Sequence, residues 1–130
     1  WALRAWFRPD ETGTAIPSIS VGYDTLSFDG TGAANGYRDA DGYSVAFNWS
    51  DMVQADDTIG IAIGAPMSGS NNTTAGTTDS NPFLWEAYYS FRPNDSIEVT
   101  PGIFGGSDVR GVSDKQDDIF GAVLTTTFRF

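Results

Sequence analysis

The sequence predicts an all-β, antiparallel fold, and three observations predict it. Apolar and polar residues alternate with period two in seven separate segments, as they do when successive side chains point to opposite faces of a sheet. Gly (15 residues) and aromatics (14%) are abundant, whereas long helix-period stretches rich in Ala, Leu, Glu and Lys are missing. The connections between the segments run short, long, short, long, short, long.

Residues 1–8 (WALRAWFR) set Trp1, Leu3, Ala5 and Phe7 against Ala2, Arg4, Trp6 and Arg8. Turn chemistry follows at 9–17 (PDETGTAIP), with Pro at both ends. The second strand is predicted over 18–28, with Ile19, Val21 and Tyr23 opposing Ser18, Ser20, Gly22 and Asp24. A long polar loop, 29–42 (DGTGAANGYRDADG), leads to the third strand at 43–50. There Tyr43, Val45, Phe47 and Trp49 alternate with Ser44, Ala46, Asn48 and Ser50. After a short link at 51–56, residues 58–64 place Ile59, Ile61 and Ile63 opposite Gly60, Ala62 and Gly64. That small side faces something crowded or open to water.

Residues 65–82 read as a low-complexity surface excursion. The fifth strand, 83–92, sets Phe83, Trp85, Ala87, Tyr89 and Phe91 against Leu84, Glu86, Tyr88, Ser90 and Arg92. Pro93, Asn94 and Asp95 make a tight turn. Ile97, Val99, Pro101 and Ile103 form the next apolar face, opposite Ser96, Glu98, Thr100 and Gly102. Pro101 cannot donate to a ladder, so a bulge or weakened pairing is expected there. A third long loop, 105–117, precedes the closing strand, 118–130 (DIFGAVLTTTFRF). One of its faces carries Phe120, Ala122, Leu124, Thr126, Phe128 and Phe130 and the other ends in Thr127 and Arg129. The FRPD of residues 7–10 and the FRPN of 91–94 both open a short turn, as equivalent positions on one rim would.

Composition narrows the function classes. The 130 residues suffice for one domain, and no run of apolar residues reaches the length of a membrane-spanning helix. A barrel remains open to such a chain, because its strands alternate and keep mean hydropathy low. Net charge is −10, from 17 acids and 7 bases, which disfavours a nucleic-acid partner. With no Cys and no His the chain cannot build a disulfide, a thiolate nucleophile, a Ser-His-Asp triad or a His-ligated zinc site. No enzymatic activity and no cofactor is expected. The adjacent acids Asp56/Asp57 and Asp117/Asp118 point to opposite faces if they lie on strands, so turn formation outweighs a glycosidase carboxylate pair. Residues 38–42 (RDADG) resemble the start of a calcium loop but lack its third acid and distant Glu, and a loop ending in an Asp-Gly turn is expected instead. Asn48, Asn71 and Asn72 fall in glycosylation-type triplets, which mean little in a bacterial source.

Strands of about 9–11 alternating residues joined by short turns on one rim and long loops on the other describe an antiparallel up-and-down transmembrane β-barrel. In that arrangement the short turns are periplasmic and the last strand descends, ending Phe130 at the periplasmic rim. Seven strands are odd and too few, so further strands are expected before Trp1. The pore-lining candidates are Arg4, Arg8, Asp24, Glu86, Arg92, Glu98 and Arg129. Trp1, Tyr43, Trp49, Trp85, Tyr89, Phe91, Phe128 and Phe130 are the candidates for membrane-interface aromatics. Trp6 and Tyr88 fall on the opposite face, where they could stack on sugar rings or pack against a loop. A soluble secreted β-sandwich that binds carbohydrate is the alternative the composition leaves open.

Three segments, GIAIGAPM (60–67), FLWEAYYSFRPNDSIEVTPGIF (83–104) and DDIFGAVLTTTFRF (117–130), together resemble the C-terminal strands of cyanobacterial outer-membrane porins of the carbohydrate-selective porin family. The resemblance implies about seven C-terminal strands of a larger, about 16-stranded barrel. It implies passive diffusion of small hydrophilic solutes, either sugars or inorganic ions, through a homotrimer in the outer membrane. It further implies that the strand ending at Phe130 is read by the barrel-assembly machinery. Family members carry an N-terminal surface-layer-homology domain that this sequence lacks, so the chain is expected to be part of a longer barrel or of an assembly that completes one.

Overall fold

The computed structural model describes residues 1–27, 38–70, 81–109 and 118–130. They form seven strands: β1 (Ala2–Phe7), β2 (Ser18–Ser27), β3 (Asp39–Ser50), β4 (Thr58–Ser70), β5 (Phe83–Asn94), β6 (Ile97–Ser107) and β7 (Ile119–Phe128). All belong to one sheet in the order β1-β2-β3-β4-β5-β6-β7, each strand antiparallel to the next. The architecture is an up-and-down meander, and it is not closed. Sequential neighbours pair because each hairpin brings adjacent segments together at the lowest cost in loop-closure entropy.

Several strands outrun the segments that alternation marks. β3 begins at Asp39, so residues 39–42 extend the sheet instead of forming an Asp-Gly turn: Asp39 pairs with Ser27 on one side and Ser70 on the other. β4 continues past Gly64 through Pro66 and Met67. The β3–β4 register shifts between Asp41 and Tyr43, where Gly42 packs against the Met67 backbone at a distance of 2.8 Å from an ideal Cβ position. A bulge at that point lets Pro66, which has no N–H to give, sit in the strand. Alternation breaks at a bulge, and the sequence pattern therefore stopped too early. At Pro101 the pairing with β7 is regular (Pro101↔Leu124), while the ladder to β5 passes from Tyr88↔Gly102 to Phe91↔Val99 and steps over the Pro101 position. Weakened pairing was the correct half of the expectation.

The first connection, residues 8–17, is close in length to the second, residues 28–38, so the short/long rhythm is not strict. Residues 8–17 fold compactly onto the neighbouring turn instead. Gly13, with φ +70°, donates its N–H to Ser50 O at 2.8 Å, and the Trp49 indole donates to Ala15 O at 3.0 Å. The centres of the long loops, residues 28–37, 71–80 and 110–117, lie outside the described residues, as do Asn71, Asn72 and Asp117.

Among the described residues no hydrophobic side chain is buried. A single sheet has no second layer to pack against, and hydrophobic burial is the main force that holds a soluble fold together. The buried charged residue is Asp57, 1% exposed, in the turn 51–57 between β3 and β4.

Candidate functional site

Cross-strand register sorts the side chains into two faces. Residues directly opposite one another share a face, and the row Phe7, Ile19, Phe47, Ile61, Ala87, Ile103, Ala122 is apolar from edge to edge. The next row, Ala5, Val21, Val45, Ile63, Trp85, Gly105, Phe120, is apolar as well. These rows make one side of the sheet a continuous hydrophobic band, bounded at the long-loop end of β2 and β3 by Thr25, Ser27, Asp39 and Asp41. Its aromatics gather in two belts. Toward the short-turn rim lie Phe7, Phe47, Trp49, Tyr89, Phe91 and Phe128, with Phe47 on Trp49 (6.2 Å) and Tyr89 on Phe91 (5.3 Å) stacked. Toward the other rim lie Tyr23, Tyr43, Phe83, Trp85 and Phe120, with Trp85 and Phe120 in tilted contact at 6.2 Å. Aliphatic residues such as Val45, Ile61, Ile63 and Ile103 fill the band between.

The belts cross the registered rows obliquely. Starting at Phe7, the row ends at Ala122, but the aromatic at this rim of β7 is Phe128, six residues farther along the strand. Six residues at roughly 3.3 Å, set against six interstrand steps at roughly 4.8 Å, give a slope of about 35°.

The polar ends of two belt aromatics are anchored in the turns. Tyr89 donates to Asp57 Oδ2 at 3.0 Å, and the Asp57 carboxylate also accepts the backbone N–H groups of Met52, Val53 and Gln54 at 2.8, 3.0 and 2.9 Å. Burial by itself pushes the Asp57 carboxyl up, but these four donors outweigh it and hold the group below the usual carboxylate range. The acids of this turn are structural: Asp56, at φ 62°, donates its N–H to Asp51 Oδ1 at 2.7 Å.

The opposite face carries the charge. Arg4 on β1 meets Asp24 on β2 at 2.6 Å. Near the short-turn rim Glu98 accepts from Arg92 Nε at 3.1 Å and from Arg129 Nη2 at 2.9 Å. Glu86 lies on this face in the first half of β5, toward the long-loop rim, exposed. Six of the seven pore-lining candidates therefore share one face. The seventh, Arg8, lies past the end of β1 in the 8–17 connection. Arg129 sits just beyond β7, held in register by its N–H donating to Ser96 O at 2.8 Å. Tyr43, Trp49, Trp85, Tyr89, Phe91 and Phe128 all fall on the apolar face. Trp1 precedes β1 but extends its ladder through Thr25, and Phe130 follows β7, fully exposed.

Glycines on the polar face are roofed by the side chain across the strand pair. The ring of Tyr88 covers Gly60, Phe104 covers Gly121, and Leu84 covers Gly106. Gly60 thus belongs to a crowded surface and Gly64 to an open one, so β4 meets both of the conditions that its small residues allow. A hollow of about 540 Å³ opens here, lined by Asp24, Ser44, Gly64, Leu84, Glu86 and Phe104 among others. Sequence reasoning had no signal for Asn48, which takes a hydrogen bond from Tyr88; Asp57, read as a turn-forming acid, does hold its turn, while its bond to Tyr89 depends on the turn's conformation.

Over its whole length the chain is 30% identical to the uncharacterized protein alr4550 of Nostoc sp. (strain PCC 7120 / SAG 25.82 / UTEX 2576), and it spans 21% of that protein. No family model matches the chain. No solved structure matches it either.

Proposed function

We propose that the chain is a section of the wall of a transmembrane β-barrel, the C-terminal strands of an outer-membrane porin through which small hydrophilic solutes, ions or sugars, diffuse passively. The observation that carries this reading is a sheet that buries no hydrophobic side chain among the described residues and whose one apolar face is bordered by two aromatic belts. Lipid is the environment such a face suits, with aromatics at both interfaces and aliphatic residues between them. The slope of the belts supports it, since strands in closed barrels incline by roughly 35–45° to the axis. Strand length does too: β2 to β7 run 10 to 13 residues, enough for a tilted strand to cross a bilayer. The charged face then lines the lumen. Open edges at β1 and β7 are intolerable in lipid, and further strands of the same protein close the wall.

In this reading the protein resides in a cyanobacterial outer membrane, assembles as a homotrimer, and presents the β7 strand ending at Phe130 to the barrel-assembly machinery. A secreted β-sandwich would need a second sheet, and the described strands form one. The test is reconstitution of the full-length protein carrying this sequence. Recovery from the detergent-extracted outer membrane and stepwise conductance in a planar bilayer are expected. A protein that is soluble without detergent and leaves the bilayer sealed would refute the proposal.

A further inference from the structure

We infer that Glu86 is the residue of this wall section that biases the passage of ions toward cations, an inference that rests on the pore reading above. The polar face carries three strand acids among the described residues, Asp24, Glu86 and Glu98. Two are neutralised in place: Asp24 by Arg4 at 2.6 Å, and Glu98 by Arg92 and Arg129 at 3.1 and 2.9 Å. Glu86 has no such partner among the described residues.

The register explains why. Opposite Glu86 stand Ala62 on β4 and Phe104 on β6, neither with a side-chain donor. Its diagonal neighbours on those strands are Gly60, Gly64, Gly102 and Gly106, which have no side chains. Along β5 itself the nearest residues on this face are Leu84, which is apolar, and Tyr88, whose phenol is already given to Asn48 Oδ1 at 2.8 Å. The carboxylate therefore stands exposed, with no side-chain donor on the residues beside and opposite it other than the Tyr88 phenol already given to Asn48, at the margin of the 540 Å³ hollow. The Arg4–Asp24 pair presents little net field to a passing solute, because its two charges cancel within a few ångströms, whereas the Arg92–Glu98–Arg129 group keeps one net positive charge near the short-turn rim, toward the other end of β5 from Glu86. A lone carboxylate does not cancel, and rings or patches of such acids favour cations in aqueous pores.

The test uses the full-length protein in planar bilayers under a potassium chloride gradient, with the cation-to-anion permeability ratio read from the reversal potential. E86Q lowers that ratio by about twofold, while the double variant R4Q/D24N, which deletes a neutral pair, leaves it in place. E86C, modified in the open channel by a positively charged thiol reagent, lowers the ratio further, and a negatively charged reagent restores it; this arm reads a channel already folded and conducting. A conducting channel whose ratio is the same in wild type and E86Q, or whose E86C form ignores both reagents, overturns the inference alone. Absence of conductance from the wild-type protein overturns the pore reading and the inference together.

Discussion

The Tyr88 phenol on β5 donates to Asn48 Oδ1 on β3 at 2.8 Å, reaching over Gly60 on the strand between them. The contact exists because register lines up Asn48, Gly60 and Tyr88 in one row, and because the middle position has no side chain. Three strands are tied by one ring. Gly60→Val places a branched side chain where the ring lies and forces it out, so a loss of about 1–3 kcal/mol of folding stability is expected. Tyr88→Phe keeps the roof and loses only the hydrogen bond, for about 0.5–1.5 kcal/mol. Urea unfolding of the full-length protein in lipid vesicles would rank them. A Tyr88→Phe cost equal to that of Gly60→Val would contradict the packing argument.

Ile61 lies at the centre of the apolar face, and Ser44 lies on the polar one. Ile61→Lys should cost about 2–4 kcal/mol if that face meets the bilayer interior, while Ser44→Lys should be nearly silent. The same vesicle unfolding assay measures both. Equal costs would deny the sheet its two environments.

The Asp57 carboxyl is held below the ordinary range by four donors, whereas in the unfolded chain it titrates near about 3.9. A folded-state value that is depressed contributes stability above the unfolded value, and that contribution disappears as pH falls through the folded one. The β3–β4 turn should therefore weaken only in strong acid. Asp57→Asn should unfold at lower urea than wild type near neutral pH and show a smaller further loss on acidification. A variant with the wild-type pH profile would assign that acid sensitivity to other groups.

Glu98 serves Arg92 and Arg129 together, with side chains between 27% and 51% exposed. At that exposure each pair is worth roughly 0.2–1 kcal/mol, so Glu98→Gln should barely alter stability. Its effect should appear in conduction, because two arginines lose their counter-charge and anions gain. Reversal potentials that move toward cation preference would be the wrong sign.

The tryptophans report the two faces. Trp49 and Trp85 lie on the apolar side, while Trp6, 78% exposed, lies on the charged side with Arg4. In single-tryptophan variants, brominated lipid should quench Trp49 and Trp85 strongly and Trp6 weakly, with the reverse order for aqueous iodide.

Strand identity was legible because alternation is a direct consequence of the pleat, and each apolar run from Ile19 to Leu124 appears on the face that alternation assigned. The ends of strands were not. Residues 39–42 read as a turn, yet they pair with both neighbouring strands, and the bulge opposite Gly42 hides the continuation of β4 from any period-two pattern. Arg8 alternated with its neighbours and still fell outside β1, since the ladder to β2 ends at Phe7↔Ile19.

What the chain alone determined is the division of its side chains between two faces, which needs only the pleat of an extended backbone. What tertiary structure decided is which charges survive on the polar face. Pairing depends on register between strands far apart in sequence: it sets Arg4 beside Asp24 and gathers Arg92, Glu98 and Arg129, yet surrounds Glu86 with glycine, alanine and carbon. Local sequence records neither the register nor the company each charge keeps.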